Sequence, residues 1–357
     1  DRQVFYENEK TPKKETKSMM MHQVNLALSN RCNAKCIWCP TSRGTKHNFD
    51  METKLVHKIV DEIKYDEDDI FKELNTIHIS ENGEAVYHKD FLDILRYIRK
   101  QIPHIQINFL SNFALMSRKI STAIVEENLI DTVGVNIDGH DEASYRAVKK
   151  ISFKSVIKQL RTFIDLHTEH QSSIKIDIMV MPAVEYATTI KLYSGKNPDQ
   201  VKEGEAVAYS NFDLTRNMLR EFCPDHIEIH HSKPGLWSER SLAKQGLLGV
   251  AKKAHLACPQ IERVKIQSYI APNGDWYACC LDDNNDLVLG NLYEQTMGEI
   301  YYSMKRLEFI QKLEQGRFME IGHPCSSVEA CQVISIKREQ FEEIDKQSRL
   351  EKEVVFE

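Results

Sequence analysis

Six runs of alternating apolar and polar residues, each followed by a stretch with helical spacing, constrain this chain more than any other feature. The predicted strands are Val24–Ser29, Asn75–Ser80, Ile105–Leu110, Thr132–Asp138, Ile174–Met181 and His226–His230, with helices between them such as Met51–Ile63 and Lys89–Arg99. Strands alternating with helices predict an α/β fold whose parallel sheet is wound in one sense. One parity of these strands is apolar: Val24, Leu26 and Leu28; Ile77 and Ile79; Ile105, Ile107 and Phe109; Val133, Val135 and Ile137; Ile174, Ile176 and Ile178; Ile227 and Ile229. The other is polar: Asn25, Ser29, His78, Ser80, Gln106, Asn108, Asn136, Asp138, Lys175, Asp177, His226, Glu228 and His230. A parallel sheet buried on both faces reads instead as continuous apolar runs. One face therefore packs helices, and the other lines a wet cavity on the concave side of a curved sheet. A closed barrel with a packed interior fits this pattern less well.

The 357 residues suggest two domains, at roughly 150 residues each. Residues 1–22 are read as a polar N-terminal extension, 23–245 as the α/β domain, 246–335 as a small second domain and 336–357 as a charged helical tail. Ala187–Tyr209 interrupts the strand–helix rhythm and is read as a variable surface loop or a substrate lid. Asp213–Phe222 reads as helix, and Ser232–His255 as a bridge to the second domain. That domain begins with a hairpin: Val264–Ile270, a turn at Pro272-Asn273-Gly274, then Asp275–Cys280. Ile300, Met304, Leu307, Ile310 and Leu313 recur at helical spacing beyond it. Forty-seven Lys and Arg against 53 Asp and Glu leave a net charge of −6. The basic footprint of a nucleic-acid binder is missing, so no nucleic-acid partner is expected. No run approaches the roughly 20 apolar residues of a membrane span. With no signal-like apolar stretch near the start, a reducing, cytoplasmic setting is expected.

Nine cysteines fall into two clumps, Cys32, Cys36 and Cys39 near the start and Cys258, Cys279, Cys280, Cys325 and Cys331 near the end, with Cys223 alone between them. Clumped thiols in a reducing compartment read as metal or cluster ligands. Cys32-x3-Cys36-x2-Cys39 follows the first strand, at the end of the sheet where α/β folds bind ligands. Three thiolates can hold three irons of a four-iron cluster and leave the fourth open to an exogenous molecule. A structural zinc ion wants four ligands, and His22 or a distant cysteine is the candidate for the fourth.

This spacing, with Trp38 before the last cysteine, resembles the radical S-adenosylmethionine (radical SAM) enzymes. Three further segments carry the resemblance. Asn82-Gly83-Glu84 is similar to that family's Gly-Gly-Glu motif, which contacts the SAM amino group. Leu110-Ser111-Asn112-Phe113 is similar to its Ser/Thr-Asn-Gly segment, with Phe113 in place of Gly. Val135-Asn136-Ile137-Asp138-Gly139 is similar to its Ser-x-Asp-Gly segment, with Asn136 taking the Ser position near the ribose. The resemblance implies a partial (β/α)6 TIM-like barrel with SAM on the open iron of a 4Fe-4S cluster. Reductive cleavage of SAM would give methionine and a 5′-deoxyadenosyl radical able to remove hydrogen from unactivated carbon, while the protein binds, orients and shields.

The second clump, with its G-x4-C hairpin at Gly274–Cys279 and the Cys325-x5-Cys331 pair, resembles the auxiliary-cluster region of the same enzymes in its short twitch form, related to SPASM. By that resemblance Cys258, Cys279, Cys325 and Cys331 hold a second 4Fe-4S cluster. Cys280 would point the opposite way on an extended strand, and it remains the alternative to Cys279. A structural zinc ion is the other alternative.

His78, Asp177, Glu228 and His230, on the polar parity, are read as substrate contacts or as hydrogen-bonded buried polar groups. His231, Lys233 and Trp237 read as surface or linker residues, and Met19–Met21 as an apolar lead-in. Cys223 is either a small buried apolar group or, like Cys280, a hydrogen-atom donor. The resemblance is strongest to enzymes of the 2-deoxy-scyllo-inosamine dehydrogenase type. It implies an oxidoreductase acting on a small carbohydrate- or cyclitol-like substrate, by dehydrogenation with electron transfer to the auxiliary cluster or by epimerisation, with a flavodoxin or ferredoxin as electron donor. The rival enzyme reading is a peptide maturase, although the 31 residues before Cys32 are too few for a peptide-recognition domain. The non-enzyme rival is a zinc-stabilised interaction module.

Overall fold

In the computed structural model the apolar parity is buried along β1–β5, where Val24, Leu26, Ile77, Ile79, Ile107, Phe109, Val133, Val135 and Ile178 are each at most 1% exposed, while Ile229 on the edge strand is half-buried. The structure describes residues 20–36, 39, 49–79, 81, 83–180, 212–231, 258, 260–280, 282, 286–322 and 324–326. Six parallel strands, β1 (Gln23–Leu26), β2 (Thr76–Ile79), β3 (Gln106–Ser111), β4 (Thr132–Asn136), β5 (Lys175–Val180) and β6 (Glu228–His231), lie in the order β6-β5-β4-β3-β2-β1. Helices α1 (Thr53–Lys64), α2 (Phe91–Gln101), α3 (Arg118–Glu126), α4 (Glu142–Lys149) and α5 (Phe153–Glu169) connect the first five strands. Each sets an apolar stripe on the sheet, for example Leu55, Val56, Ile59 and Val60 of α1. The six parallel strands with their covering helices form the partial (β/α)6 barrel expected from the sequence. No described helix is long and apolar enough to cross a membrane.

β1, β4 and β5 stop earlier than the alternation suggests, whereas β3 and β6 each run one residue further. β1 ends at Leu26 because Ser29 leaves the sheet to bridge Asp50, its hydroxyl donating to the Asp50 carboxylate at 2.6 Å. The segment expected as a strand over Val264–Ile270 is half helix. Ile261–Ile266 is helical, with the Val264 amide bonded to the Gln260 carbonyl, and only Gln267–Ile270 forms β7. Ile261 and Val264 fit a helical spacing of three, so β-branched content pointed the wrong way. The stripe from Ile300 to Leu313 is likewise two helices, Met297–Tyr301 and Met304–Glu314. Ser303 caps the second by accepting from the Arg306 amide. Arg306, Phe309, Ile310 and Leu313 are its buried residues, whereas Met304 is exposed. The Arg306 guanidinium is satisfied inside, donating to the carbonyls of Tyr301 (3.1 Å) and Lys265 (2.7 Å).

The C-terminal hairpin continues the barrel sheet. β7 runs parallel to β1, and β8 (Asp275–Tyr277) and β9 (Val288–Asn291) follow antiparallel, giving a nine-stranded sheet. The β7–β8 turn closes with Gly274 at φ +83° and its amide on the Ala271 carbonyl. In this four-residue connection, Ala271–Gly274, glycine takes the left-handed position. Lys58 of α1 donates to the carbonyls of Leu292 and Gln295, and Glu62 accepts from the Met297 amide, fastening the hairpin region to the barrel.

Candidate active site

The three-cysteine loop leaves the C-terminal end of β1 and is held from below. Arg31 forms an ion pair with Asp50 and donates to the Tyr87 carbonyl. Glu84 bonds through its amide to the Arg31 carbonyl at 2.8 Å. Gly83, at φ +141°, makes that approach possible: a Cβ there would lie 2.0 Å from the Ser29 carbonyl oxygen. The loops after β1 and β2 are therefore pressed together backbone to backbone.

The Glu84 carboxylate is buried and accepts from the Ser111 hydroxyl and the Asn112 amide, each at 2.8 Å. Burial pushes it up to about 7, against the opposing pull of the Asn112 and Ser111 bonds. Asn112 turns its side-chain amide to Asn33 (2.9 Å) and the Cys32 sulfur (3.7 Å), tying the loop after β3 to the cysteine loop. Phe113 takes the left-handed conformation that glycine would provide, at φ +62°, and is held by burial and an edge-on contact with Phe163. On the other side, buried Asp138 after β4 pairs with buried Lys149 at the end of α4, 2.7 Å apart. Burial opposes the Lys149 charge, but Asp138 and then Cys36 outweigh it and raise its pKa. The Lys35 amide also bonds to the Lys149 carbonyl at 3.0 Å.

The described cysteines are thiols. Burial pushes Cys32 up to about 12 and Cys36 to about 11. Glu84 and the two other thiols add to the push at Cys32. Three thiolates gathered beside a carboxylate need a strong positive charge, which is what ligated iron supplies, so the donor set fits an iron–sulfur cluster. Among the described residues no three His, Cys, Asp or Glu side chains surround a point where a single metal ion could sit. His22 lies before β1 and the cysteine loop after it. The four-residue strand between them, at about 3.3 Å per residue, keeps His22 from being a fourth zinc ligand there.

At the hairpin, Cys279 and Cys280 lie in the turn beyond β8, which ends at Tyr277, rather than on an extended strand. They nevertheless differ in surroundings. Cys279 packs against the main core, as do Cys258 and Cys325. Cys280 packs with Tyr269, Ala271 and Tyr277. Its thiol is lowered to about 7, chiefly by a hydrogen bond with Cys279, against burial, with Tyr269 and Arg263 also lowering it. Asp282, fully buried, accepts from the amides of Asp286 and Leu287 and closes this turn.

The polar parity forms a row across the concave face. Strand register aligns Tyr277, Tyr269, Asn25, His78 and Asn108 on β8, β7, β1, β2 and β3. Burial lowers His78. Farther along, His230 faces Asp177 at 3.0 Å, while Glu228 pairs with Lys175. Cys223 lies in the apolar core, and burial pushes its thiol up to about 11. Trp38, Asn82, Cys331, Lys233 and Trp237 lie outside the described residues, as do Met19, the segment 187–209, the whole bridge and the charged tail. The sequence analysis passed over Lys149, Glu81, Tyr269 and Tyr277. Glu81 directly precedes the Asn82-Gly83-Glu84 motif, and the tyrosines share the polar parity of the hairpin. Nothing in its spacing marks Lys149.

Residues 26–193 match the Radical SAM superfamily, and residues 258–332 match the SPASM iron–sulfur cluster-binding domain, most of the chain between them. The chain is a radical SAM enzyme with a SPASM domain, and its cofactors are SAM and two 4Fe-4S clusters. A zinc-stabilised interaction module is thereby set aside. The chain is 21% identical to mycofactocin maturase MftC of Mycolicibacterium smegmatis, covering 85% of this chain and 75% of that protein. BtrN in complex with AdoMet and 2-DOIA has the same fold (TM-score 0.50, 14% identity, 84% of this chain and 90% of that one). So does Streptococcus suis SuiB (TM-score 0.52, 13% identity, 82% and 68%).

Proposed function

We propose that this enzyme removes a hydrogen atom from a small polar, carbohydrate- or cyclitol-like substrate and completes either a two-electron oxidation or an epimerisation. The observation that carries this reading is the polar concave face, which runs without interruption from the three-cysteine loop of β1 to the hairpin bearing Cys279. When bound, SAM and its cluster supply the 5′-deoxyadenosyl radical, and the auxiliary cluster supplies an electron acceptor. Cys32, Cys36 and Cys39 would hold the first cluster, and Cys258, Cys279, Cys325 and Cys331 the second. The shared packing of Cys258, Cys279 and Cys325 favours Cys279 over Cys280 in that set. Trp38, Asn82, Gly83, Glu84, Ser111, Asn112 and Asn136 would line SAM, with the Glu84 carboxylate held ready for an amino group by Ser111 and Asn112. Asp177 and His230 form the acid–base pair of the far strands. Cys280, beside the polar row, is a better hydrogen-atom donor than Cys223, which would have to leave the core. An external flavodoxin or ferredoxin and a cytoplasmic setting complete the reading. The division near residue 245 is retained as the domain proposal.

Iron and acid-labile sulfide after anaerobic reconstitution test the reading. About eight irons per chain, falling to about four in a Cys32/Cys36/Cys39→Ala triple variant, are expected. Stoichiometric zinc with little iron would overturn it. The relation to a maturase supports a second reading, peptide modification. Deuterium transfer into 5′-deoxyadenosine from labelled cyclitols or from labelled precursor peptides separates the two.

A further inference from the structure

In a chain of net charge −6, residues 143–164 hold six Lys and Arg and no Asp or Glu. This run covers α4 and the first three turns of α5. Lys149 is turned inward onto Asp138, but Arg146, Lys150, Lys154, Lys158 and Arg161 are exposed. The spacing of three to four residues from Lys154 through Lys158 to Arg161 sets them on one face of α5. At one end of the run Glu142 is already engaged, accepting from the Lys154 amide at 3.1 Å and pairing with Arg146 at 3.7 Å. Among the described residues Lys150, Lys154 and Lys158 have no acidic partner. Elsewhere cations are neutralised: Lys58, Arg96, Arg99, Lys265 and Arg317 each face a carboxylate.

The ridge also has the anatomy of a contact surface, an apolar floor inside a polar rim. An open depression lies along it, walled by Lys154, Lys158, Arg161 and Thr162 over Phe153 and Ile157, which are each 9% exposed. Arg161 is held in place over the Phe222 ring, 4.0 Å from its centre. Topology fixes where the ridge begins. The Lys35 amide on the Lys149 carbonyl places the α4–α5 junction against the cysteine loop, and Lys35 itself is exposed there. Because β4 and β5 are parallel, α5 must then run away from that loop toward the start of β5. A positive stripe therefore leads along the outside of the barrel to the backbone that carries Cys36.

We propose that Lys150, Lys154, Lys158 and Arg161, with Lys35 at the loop, dock the acidic face of a one-electron carrier protein beside the first cluster. This rests on the external carrier of the reading above and adds the face that receives it. The reduced carrier loses one electron and the first cluster gains it, with no proton or group passing between the proteins. Charge complementarity steers the encounter and sets its orientation. The net negative charge of the rest of the chain disfavours a long polyanion such as RNA and suits a compact acidic protein.

The probes are a flavodoxin and a 2Fe-2S ferredoxin, each added reduced to the reconstituted enzyme with SAM. Carbodiimide cross-linking, mapped by mass spectrometry, should join carrier carboxylates to Lys150, Lys154 or Lys158. Formation of 5′-deoxyadenosine should saturate with at least one carrier, and its KM should rise with salt. Lys154→Glu with Lys158→Glu should raise that KM about tenfold and leave dithionite-driven cleavage at the wild-type level. The same charge change made elsewhere, Lys100→Glu with Lys305→Glu, should leave the KM within about twofold. Cross-links confined to other lysines, a KM that the ridge variant does not change, an equal rise in the control variant, or no saturable response to either carrier would overturn the proposal. Tighter binding of an RNA oligonucleotide than of both carriers would do so as well. The wild-type cross-link map stands even if a variant does not fold. Absence of dithionite-driven cleavage in the wild type would remove the radical reading itself, whereas cleavage that is indifferent to the ridge removes only the docking face.

Discussion

Three residues set the geometry under the cysteine loop, and each can be tested alone. Gly83 stands where a Cβ would collide with the Ser29 carbonyl. Gly83→Ala should cost about 3 kcal/mol or more in urea unfolding and lower the iron bound by the first cluster. Phe113 combines an unfavourable left-handed backbone with a fully buried ring. Phe113→Ala loses the ring and keeps the strain, while Phe113→Gly loses the ring and removes it. Both should destabilise, the glycine variant by about 1 kcal/mol less. Glu84 makes apo-protein stability depend on pH. Between the ordinary glutamate value of about 4.3 and about 7, the folded protein keeps a proton that the unfolded chain has lost. Stability should therefore fall as pH rises through that window, by about 4 kcal/mol from this group. Glu81 adds the same sign up to about 8. Melting temperatures at pH 5 and 7.5 check this, and Glu84→Gln should flatten the difference.

At the scale of elements, the informative tie is between β4 and α4. Their junction buries Asp138 against Lys149 directly behind Cys36. Lys149→Met leaves a buried carboxylate without its cation and should cost about 3–5 kcal/mol, whereas Lys149→Met with Asp138→Leu should recover most of that. Denaturant unfolding of the two variants measures it. The strands and helices of the barrel were legible because each repeats a short local pattern, period two for the strands and three to four for the helices. Where a segment such as Ile261–Ile266 satisfies both periods, local pattern does not choose. The helix there is decided by Val264 packing into the core and by Arg306 bonding to the Lys265 carbonyl.

At the scale of the molecule, the hairpin is a continuation of the barrel rather than an appendage, because β7 pairs with β1 over four residues. Unfolding of the apo-protein should therefore be a single transition, with tryptophan fluorescence reporting buried Trp276 in the hairpin and far-UV circular dichroism reporting the barrel at the same midpoint. Separate midpoints would mean that the two regions are energetically independent.

By itself the sequence determined the α/β class, the polar concave face and the three-cysteine loop at the strand end, because all of these are written in residue spacing along one chain segment. Tertiary structure decided what depends on distant segments meeting. Gly83 is pressed onto Ser29, Lys149 is folded behind Cys36, Cys279 and Cys280 are given different surroundings, and Glu81 meets Tyr277 across 196 positions of chain. No spacing rule encodes such meetings, since they arise only when burial of the apolar parity draws the sheet together and leaves its polar groups to find one another across the cavity.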